Sequence, residues 1–159
     1  MVGDEDDDIK AIKVVIARQF RSLCWQAGSA GDWGAFAADF LPGAPLYPAA
    51  RPAIAQSAQN FVARMKGLAG TTLHSFHEAP LGVDLRVFGN VAVAAAGCEM
   101  TENGNAINRG VEMMLLIKSE GRWLIAAQAW DVATQDRPLP NELRQPDETI
   151  PAPELKARA

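Results

Sequence analysis

The chain has 159 residues, which is enough for one domain with a substantial core and too short for two comfortable ones. Hydrophobic residues make up 48% and charged residues 21%, a composition typical of a folded globular domain. The net charge of −4 is concentrated in an acidic run at residues 4–8, and the rest of the chain is close to neutral. This balance argues against a nucleic-acid or anionic-membrane partner, because either would need a basic patch.

Two further features favour a cytoplasmic protein. No apolar run approaches the roughly 20 residues that a membrane helix requires. The acidic N-terminus has the wrong charge for a signal peptide.

Sequence spacing gives no sign of a metal or cofactor site. Cys24 and Cys98 are too few and too far apart for a disulfide framework or a zinc site, and we expect both to be small buried apolar residues. The two histidines and the scattered acids show no ligand spacing, and the glycines at residues 28–34 do not follow a strand as a phosphate loop would. We therefore expect no metal and no cofactor.

The first half of the chain predicts three helices. Apolar residues at spacings of three and four predict the first over residues 9–27, with the acidic run suiting its N-terminus. Asp32 is the expected N-cap of a short second helix. A Pro-rich connection, "LPGAPLYPAARP", cannot be regular structure, and a third helix is expected from near Pro52 to Gly67.

The second half predicts an antiparallel meander of four strands, at about residues 73–88, 91–101, 106–118 and 122–133. The Asn103-Gly104 pair between the second and third strands is typical of a two-residue hairpin turn. The chain therefore divides into an acidic extension at 1–8, one domain at 9–134 and a Pro-rich tail at 135–159. The fold class is α+β, with three N-terminal helices packed on one face of a curved four-stranded antiparallel sheet.

The last strand, in "EGRWLIAAQAWD", is apolar at nearly every position. A single helical layer covers one face of a sheet, so the second face needs another cover. A second copy of the chain in a two-fold homodimer is one candidate, and the C-terminal tail folding back is the other.

The order of elements resembles the nuclear-transport-factor-2-like (NTF2-like) cone fold, especially its SnoaL-like and ketosteroid-isomerase-like branch. The segments "AGDWGAFAADFLPGAPLY", "FGNVAVA" and "SEGRWLIAAQAWD" carry the resemblance, which spans about residues 9–133. The resemblance implies a cone-shaped barrel that holds an apolar pocket, and a dimer formed through the outer face of the sheet.

The known catalytic sets of this fold do not carry over onto the sequence. A ketosteroid isomerase would need a carboxylate base at or near Pro48, a carboxylic acid at or near Met113 and a tyrosine on the first helix, where this chain has Phe20 and Cys24. The epoxide hydrolases of the fold would need an Arg-x-Asp where the chain reads "VAAAG" and a base near Gln128. Both activities are therefore unexpected.

Scytalone-dehydratase-like enzymes of this fold use a histidine in the cone, which makes His77 the candidate general base. The alternative is a half-exposed strand histidine with no catalytic role. Tyr47 or Arg109 would position a substrate oxygen. Arg109 could equally form a structural ion pair with Asp131 or Glu99.

The resemblance also suggests which strand residues face the pocket. The inward set would be Arg109, Val111 and Met113 on the third strand and Ala126, Gln128 and Trp130 on the fourth. The expected ligand-binding residues are Tyr47, Arg109, Met113, Gln128 and Trp130. Trp130 would form a flat wall for a ring, or would pack as plain core. Glu112 and Asp131 are expected on the outer face.

We therefore expect a protein that binds a small hydrophobic or ring-containing molecule in an apolar pocket. Any catalysis would be of the lyase or isomerase kind and would use acid–base chemistry. The alternative is a non-catalytic ligand-binding or assembly module of the same fold.

Overall fold

A computed structural model describes residues 2–151, without the side chains of residues 2, 3 and 106. The end of the predicted tail, residues 152–159, lies outside the described residues. No helix in the described part is both long and apolar enough to cross a membrane.

The three predicted helices are present with shifted boundaries: α1 spans Val2–Ser22, α2 Trp33–Ala38 and α3 Ala58–Ala69. The acidic run belongs to α1 itself, and its Asp8 accepts hydrogen bonds from Lys118 and from the Trp123 indole, both at 2.9 Å. These contacts tie the N-terminal part of α1 to the sheet. As predicted, Asp32 caps α2, by accepting from the amide of Ala35.

The sheet confirms the predicted α+β class and contains one strand more than expected. Its strands are β1 Leu46–Tyr47, β2 Phe76–Phe88, β3 Val91–Glu102, β4 Ala106–Ser119 and β5 Arg122–Val132, in the spatial order β1-β5-β4-β3-β2. The four long strands form the predicted antiparallel meander. The additional strand, β1, lies in the Pro-rich connection and pairs in parallel with β5, so the expectation of no regular structure there was wrong.

Two β-bulges interrupt the strand pairing. In β2 the pairing steps from Pro80–Cys98 to Val83–Ala96, so two residues oppose only Gly97. Between β4 and β5 it steps from Leu115–Ala127 to Leu116–Ile125, which leaves Ala126 as an extra residue. Because the side-chain period of a strand is two, each bulge reverses which residues face the helices beyond it.

The helices cover one face of the sheet, which we call the cavity face, and form the hydrophobic core with it. Ile12, Ile16, Phe20, Phe36, Leu46, Leu116 and Ile125 are among the fully buried members of this core. The opposite, outer face is strongly apolar as well. On it, Met113 is 60% exposed, Val93 51% and Leu115 43%.

The segment that follows β5, residues 133–151, packs against the domain, and we call it the C-terminal arm. Its Leu139, Leu143 and Ile150 are buried. The arm crosses the outer face at the β2–β3 end of the sheet, where its backbone lies against Gly82 and Gly97. It therefore supplies one of the two covers expected for the second face, and it leaves Met113 and Leu115 of β4 exposed.

Candidate active site

A cavity of about 310 Å³ lies between the helices and the cavity face. Most of its wall is apolar and aromatic, with Phe20, Phe36, Phe61, Phe76 and Trp130 among the lining residues. The Phe61 ring lies 5.3 Å from Phe36 and meets Trp130 edge-on at 5.6 Å. This volume is at the lower end of the roughly 300–1,000 Å³ that ligand sites occupy, so the cavity suits a small ring system.

Two carboxyl groups face this cavity from neighbouring parts of the sheet. Glu78 of β2 is 5% exposed and Glu112 of β4 is 8% exposed, and both line the cavity. Cys98 of β3 lies between their strands, and one side-chain atom from each of the three residues lies within 4.8 Å of the others. Two acids this close in an apolar wall cannot both be ionised without a large electrostatic cost.

The surroundings shift the pKa values of both acids upward. Burial raises the pKa of Glu112 to about 7, against the hydrogen bond from Gln128, which lowers it. Burial, with the charge of Glu112 next in importance, raises the pKa of Glu78 well above its ordinary value. Burial also raises the pKa of the Cys98 thiol. Because both pKa values are raised, the pair holds a proton more readily than two exposed glutamates would, and the hydrogen bond from Gln128 favours the carboxylate form at Glu112.

A chain of two buried amides orients Glu112. The Gln128 Nε2 donates to Glu112 Oε2 at 2.5 Å, and the Gln19 Nε2 donates to Gln128 Oε1. Because Gln128 must donate to the carboxylate, its oxygen is left to accept from Gln19. The Gln19 Oε1 is then a buried acceptor without a hydrogen-bond partner in the described chain. Leaving such an acceptor buried without a partner costs about 1–3 kcal/mol.

Replacing Gln128 with methionine is expected to raise the pKa of Glu112 above about 7, because the hydrogen bond that favours the carboxylate is lost. A hydrogen bond to a charged group is worth about 1.5–3 kcal/mol. The titration of Glu112 in NMR spectra of ¹³C-glutamate-labelled protein measures the change. The matched control is Gln56→Met, since Gln56 lines the same cavity and its side chain makes no hydrogen bond to the side chains that the structure describes. An unmoved Glu112 titration in the Gln128 variant would contradict the assigned hydrogen bond.

Of the predicted ligand-binding residues, Gln128 and Trp130 line the cavity. The other two strand residues and the tyrosine do not. Tyr47 and Met113 lie on the outer face, at 38% and 60% exposure. Arg109 donates to Glu99 at 2.9 Å, which is one of the two structural ion pairs anticipated for it.

The predicted base, His77, is exposed and faces away from the cavity, so it does not meet Tyr47 or Arg109 there. The bulge in β2 explains the error. Counting from the turn at Gly89-Asn90 without a bulge puts the odd-numbered residues of β2, His77 included, on the cavity face. The extra residue at Leu81-Gly82 reverses this parity, and Glu78 takes the inward position.

The prediction that Met113 lies on the cavity face and Glu112 on the outer face was also wrong, and the bulge in β5 explains why. An unbroken count from the turn at Glu120-Gly121 sets Met113 opposite Gln128. With the bulge, Glu112 pairs with Trp130 instead, and directly paired residues share a face of the sheet. Val111 changes face for the same reason.

The sequence contains a signal for one bulge only. A glycine inside a strand, such as Gly97 or Gly82, often marks a bulge or a close backbone approach. Ala126 lies in a run of small apolar residues and gives no comparable sign.

Glu78, Cys98 and Glu112 are also the residues of the described chain that could hold a divalent cation. A cation would need all three ligands deprotonated, whereas burial raises all three pKa values. Its binding would therefore displace protons and strengthen steeply with pH.

Comparison with known proteins identifies the fold. No family model matches the sequence, and no curated protein is significantly similar to it. A candidate scytalone dehydratase from Novosphingobium aromaticivorans superposes with a TM-score of 0.68 at 12% identity, over 91% of this chain and 97% of that one. The hexachlorocyclohexane dehydrochlorinase LinA-type3 from Novosphingobium barchaimii gives 0.69 at 12% identity, over 84% and 92%.

A third similar structure is an NTF2-like protein of unknown function from Silicibacter pomeroyi. Its TM-score is 0.59 at 17% identity, over 80% of this chain and 98% of that one. The chain therefore has the NTF2-like cone fold, as the sequence resemblance implied. Identities this low show the fold alone, and this fold hosts many activities.

Proposed function

We propose that the protein is a lyase or isomerase that moves a proton on a small hydrophobic, ring-containing molecule bound in the cavity. Glu112 is the proton acceptor and Glu78 the proton donor, in place of the histidine expected from the sequence. The observation that carries this proposal is the buried Glu78–Glu112 pair facing an aromatic-walled cavity. A base that titrates near neutral pH beside an acid that holds its proton is the combination that acid–base catalysis requires.

In the elimination, the ionised Glu112 takes a proton from a carbon next to a carbonyl group. The electrons of the broken C–H bond form the new double bond, and the bond from the neighbouring carbon to its oxygen breaks. Glu78 gives its proton to the departing oxygen, which leaves as water. In the isomerisation, Glu112 takes a proton from the carbon between the carbonyl group and the double bond, while Glu78 donates a hydrogen bond to the carbonyl oxygen, where negative charge develops. The double bond then moves next to the carbonyl group as Glu112 returns the proton to the far carbon of the original double bond.

Two further observations support an elimination or a proton shift. Two of the similar structures are described as a dehydratase and a dehydrochlorinase, and both names denote removal of a small molecule from a substrate. The Gln128 amide also holds Glu112 by a short hydrogen bond, which keeps the base oriented toward the cavity.

The test uses the β-hydroxy and the β,γ-unsaturated derivatives of cyclohexanone, because both convert to the same conjugated cyclohexenone, which absorbs in the ultraviolet. A lyase converts the first and an isomerase converts the second. Thermal-shift screening with steroid-like, polyketide-like and aromatic-acid compounds runs in parallel. Ligand binding without turnover of either ketone would support the alternative, a non-catalytic ligand-binding module. A flat thermal response together with no turnover would contradict a small-molecule cavity.

We also propose that the exposed outer face is the interface of a two-fold homodimer. The apolar side chains of Met113, Leu115 and Val93 lie together there. Asp84 and Arg86 border the same surface, so a two-fold axis through the patch could pair each with its opposite in the second copy. An apolar patch of this kind is uncommon on a monomer.

Met113→Lys is expected to abolish this dimer, because it places a charge at the centre of the apolar contact. Sedimentation at micromolar concentration measures the result: the wild type should have twice the 17.1 kDa chain mass, and the variant the single mass. The control is Ile54→Lys, since Ile54 is 69% exposed and belongs to no strand, lying in the connection between β1 and α3. A wild-type protein that sediments at 17.1 kDa would end the dimer proposal.

A further inference from the structure

The C-terminal arm lies directly over the bulge that turns Glu78 inward. We propose that the arm locks this bulge, and that Gly97 and Leu143 are therefore positioning residues for the cavity carboxyl pair. The inference rests on the proposed function only for what the positioned carboxyl groups do. Its geometric content, which acid faces the cavity and why, stands without it.

The close approach of the arm to the sheet depends on two glycines. A Cβ atom built on Gly97 would lie 2.1 Å from the backbone oxygen of Leu143, and one built on Gly82 would lie 2.1 Å from that of Glu142. Contacts this short with backbone atoms cannot be relieved by turning a side chain, so the arm could not lie here over any other residue type. Both glycines belong to the bulge. Gly82 is one of the two bulged residues of β2, and Gly97 of β3 lies opposite them.

The arm is also bonded to the bulge and fastened beyond it. The amide of Asp147 donates to the carbonyl of Leu81, one of the residues that the bulge leaves without a cross-strand partner, at 3.4 Å. Asp147 forms an ion pair with Lys13 of α1 at 3.0 Å, and Lys13 donates to Thr149 at 2.6 Å. The arm therefore spans from β5 across the bulge to α1 and holds β2 from outside.

Removing the bulge would move the segment Phe76–Pro80 by one residue relative to β3. A shift of one residue turns every side chain of a strand segment to the other face. Glu78 would then leave the cavity and His77 would enter it. The arm thus decides which of two adjacent titratable residues belongs to the site.

The test is Gly97→Ala in the full-length chain, with Gly67→Ala as the matched control. A Cβ at Gly67 meets nothing within 4 Å, so the control adds the same methyl group without touching the arm. The measured quantity is the carboxyl titration in NMR spectra of ¹³C-glutamate-labelled protein, with circular dichroism to confirm folding. We expect the pKa of Glu78 to return toward its ordinary value in Gly97→Ala and to stay raised in Gly67→Ala. An unchanged elevated titration in folded Gly97→Ala would overturn the inference.

A second variant separates repositioning from general loosening. In the shifted strand, residue 77 faces the cavity, so the double variant Gly97→Ala/His77→Glu should regain a buried carboxyl group with an elevated titration. His77→Glu alone should add only an exposed glutamate. If the double variant is folded and contains no carboxyl group with a raised pKa at position 77, the bulge does not decide which side chains of β2 face the cavity, and the inference is wrong. Turnover plays no part in these readouts, so an inactive protein would count against the proposed function and not against the role of the arm.

Discussion

Replacing Glu112 with glutamine is expected to lower the turnover of whichever cyclohexanone derivative the protein converts by about 10²–10⁴-fold, the usual contribution of a positioned general base. Glutamine has nearly the same shape as glutamate and can still contact Gln128, but it cannot take a proton. The KM should change little, because the aromatic walls that hold the ring are untouched. Initial rates of enone formation at pH 7 measure the effect.

The control for this change is Glu99→Gln. Glu99 is a partly exposed acid paired with Arg109 at the surface, away from the cavity, and its loss should leave turnover within about twofold of wild type, since surface ion pairs contribute little. Glu78→Gln should also lower turnover, and more strongly for elimination than for isomerisation, since only the first needs a donated proton. Turnover by Glu112→Gln at the wild-type rate would rule out Glu112 as the base.

The unfolding free energy of the wild-type protein is expected to fall by about 3 kcal/mol as the pH rises from about 4.5 to about 7. Glu112 has a pKa of about 7 in the folded chain and about 4.5 without its surroundings. Between these values the folded protein holds one proton more than the unfolded chain, so folding is favoured at the acidic end. The contribution is fully present below about pH 4.5 and is lost as the pH rises through about 7. Urea unfolding at a series of pH values measures it.

Other titrating groups change the unfolding free energy above and below this pH range. Glu78, whose pKa is also raised, continues the loss of stability toward higher pH. The lowered pKa values of Asp8 and Asp147 act in the opposite sense, since their contribution is lost as the pH falls below their ordinary value of 3.8. Maximum stability is therefore expected at mildly acidic pH.

The double variant Glu78→Gln/Glu112→Gln should flatten the slope between pH 4.5 and 7, because neither position can then exchange a proton. Glu99→Gln should keep the wild-type slope. If the wild type were equally stable at both ends of this range, the two acids would not be buried together as described.

The positions of the site residues depended on two β-bulges, and the sequence contains a signal for only one of them. Alternation along β2 and β5 is visible in the sequence, but a bulge of one residue reverses it without changing composition. Gly97 could have signalled the first bulge, whereas Ala126 could not have signalled the second. The alternation pattern therefore predicts His77 and Met113 on the cavity face, where the structure has Glu78 and Glu112, and it predicts the correct face for Gln128 and Trp130.

The amino-acid sequence by itself determined the α+β class, the three helices, the four-strand meander and an apolar surface on both sides of the sheet, because these follow from local periodicity and turn residues. Only the tertiary structure decided which acids are buried together, since that depends on pairing register across strands distant in sequence. It also decided the course of the arm, whose buried residues contact the bulge only when β2 and β3 are paired. The proton-holding pair is thus a property of register and burial, and neither is encoded in the identity of any single residue.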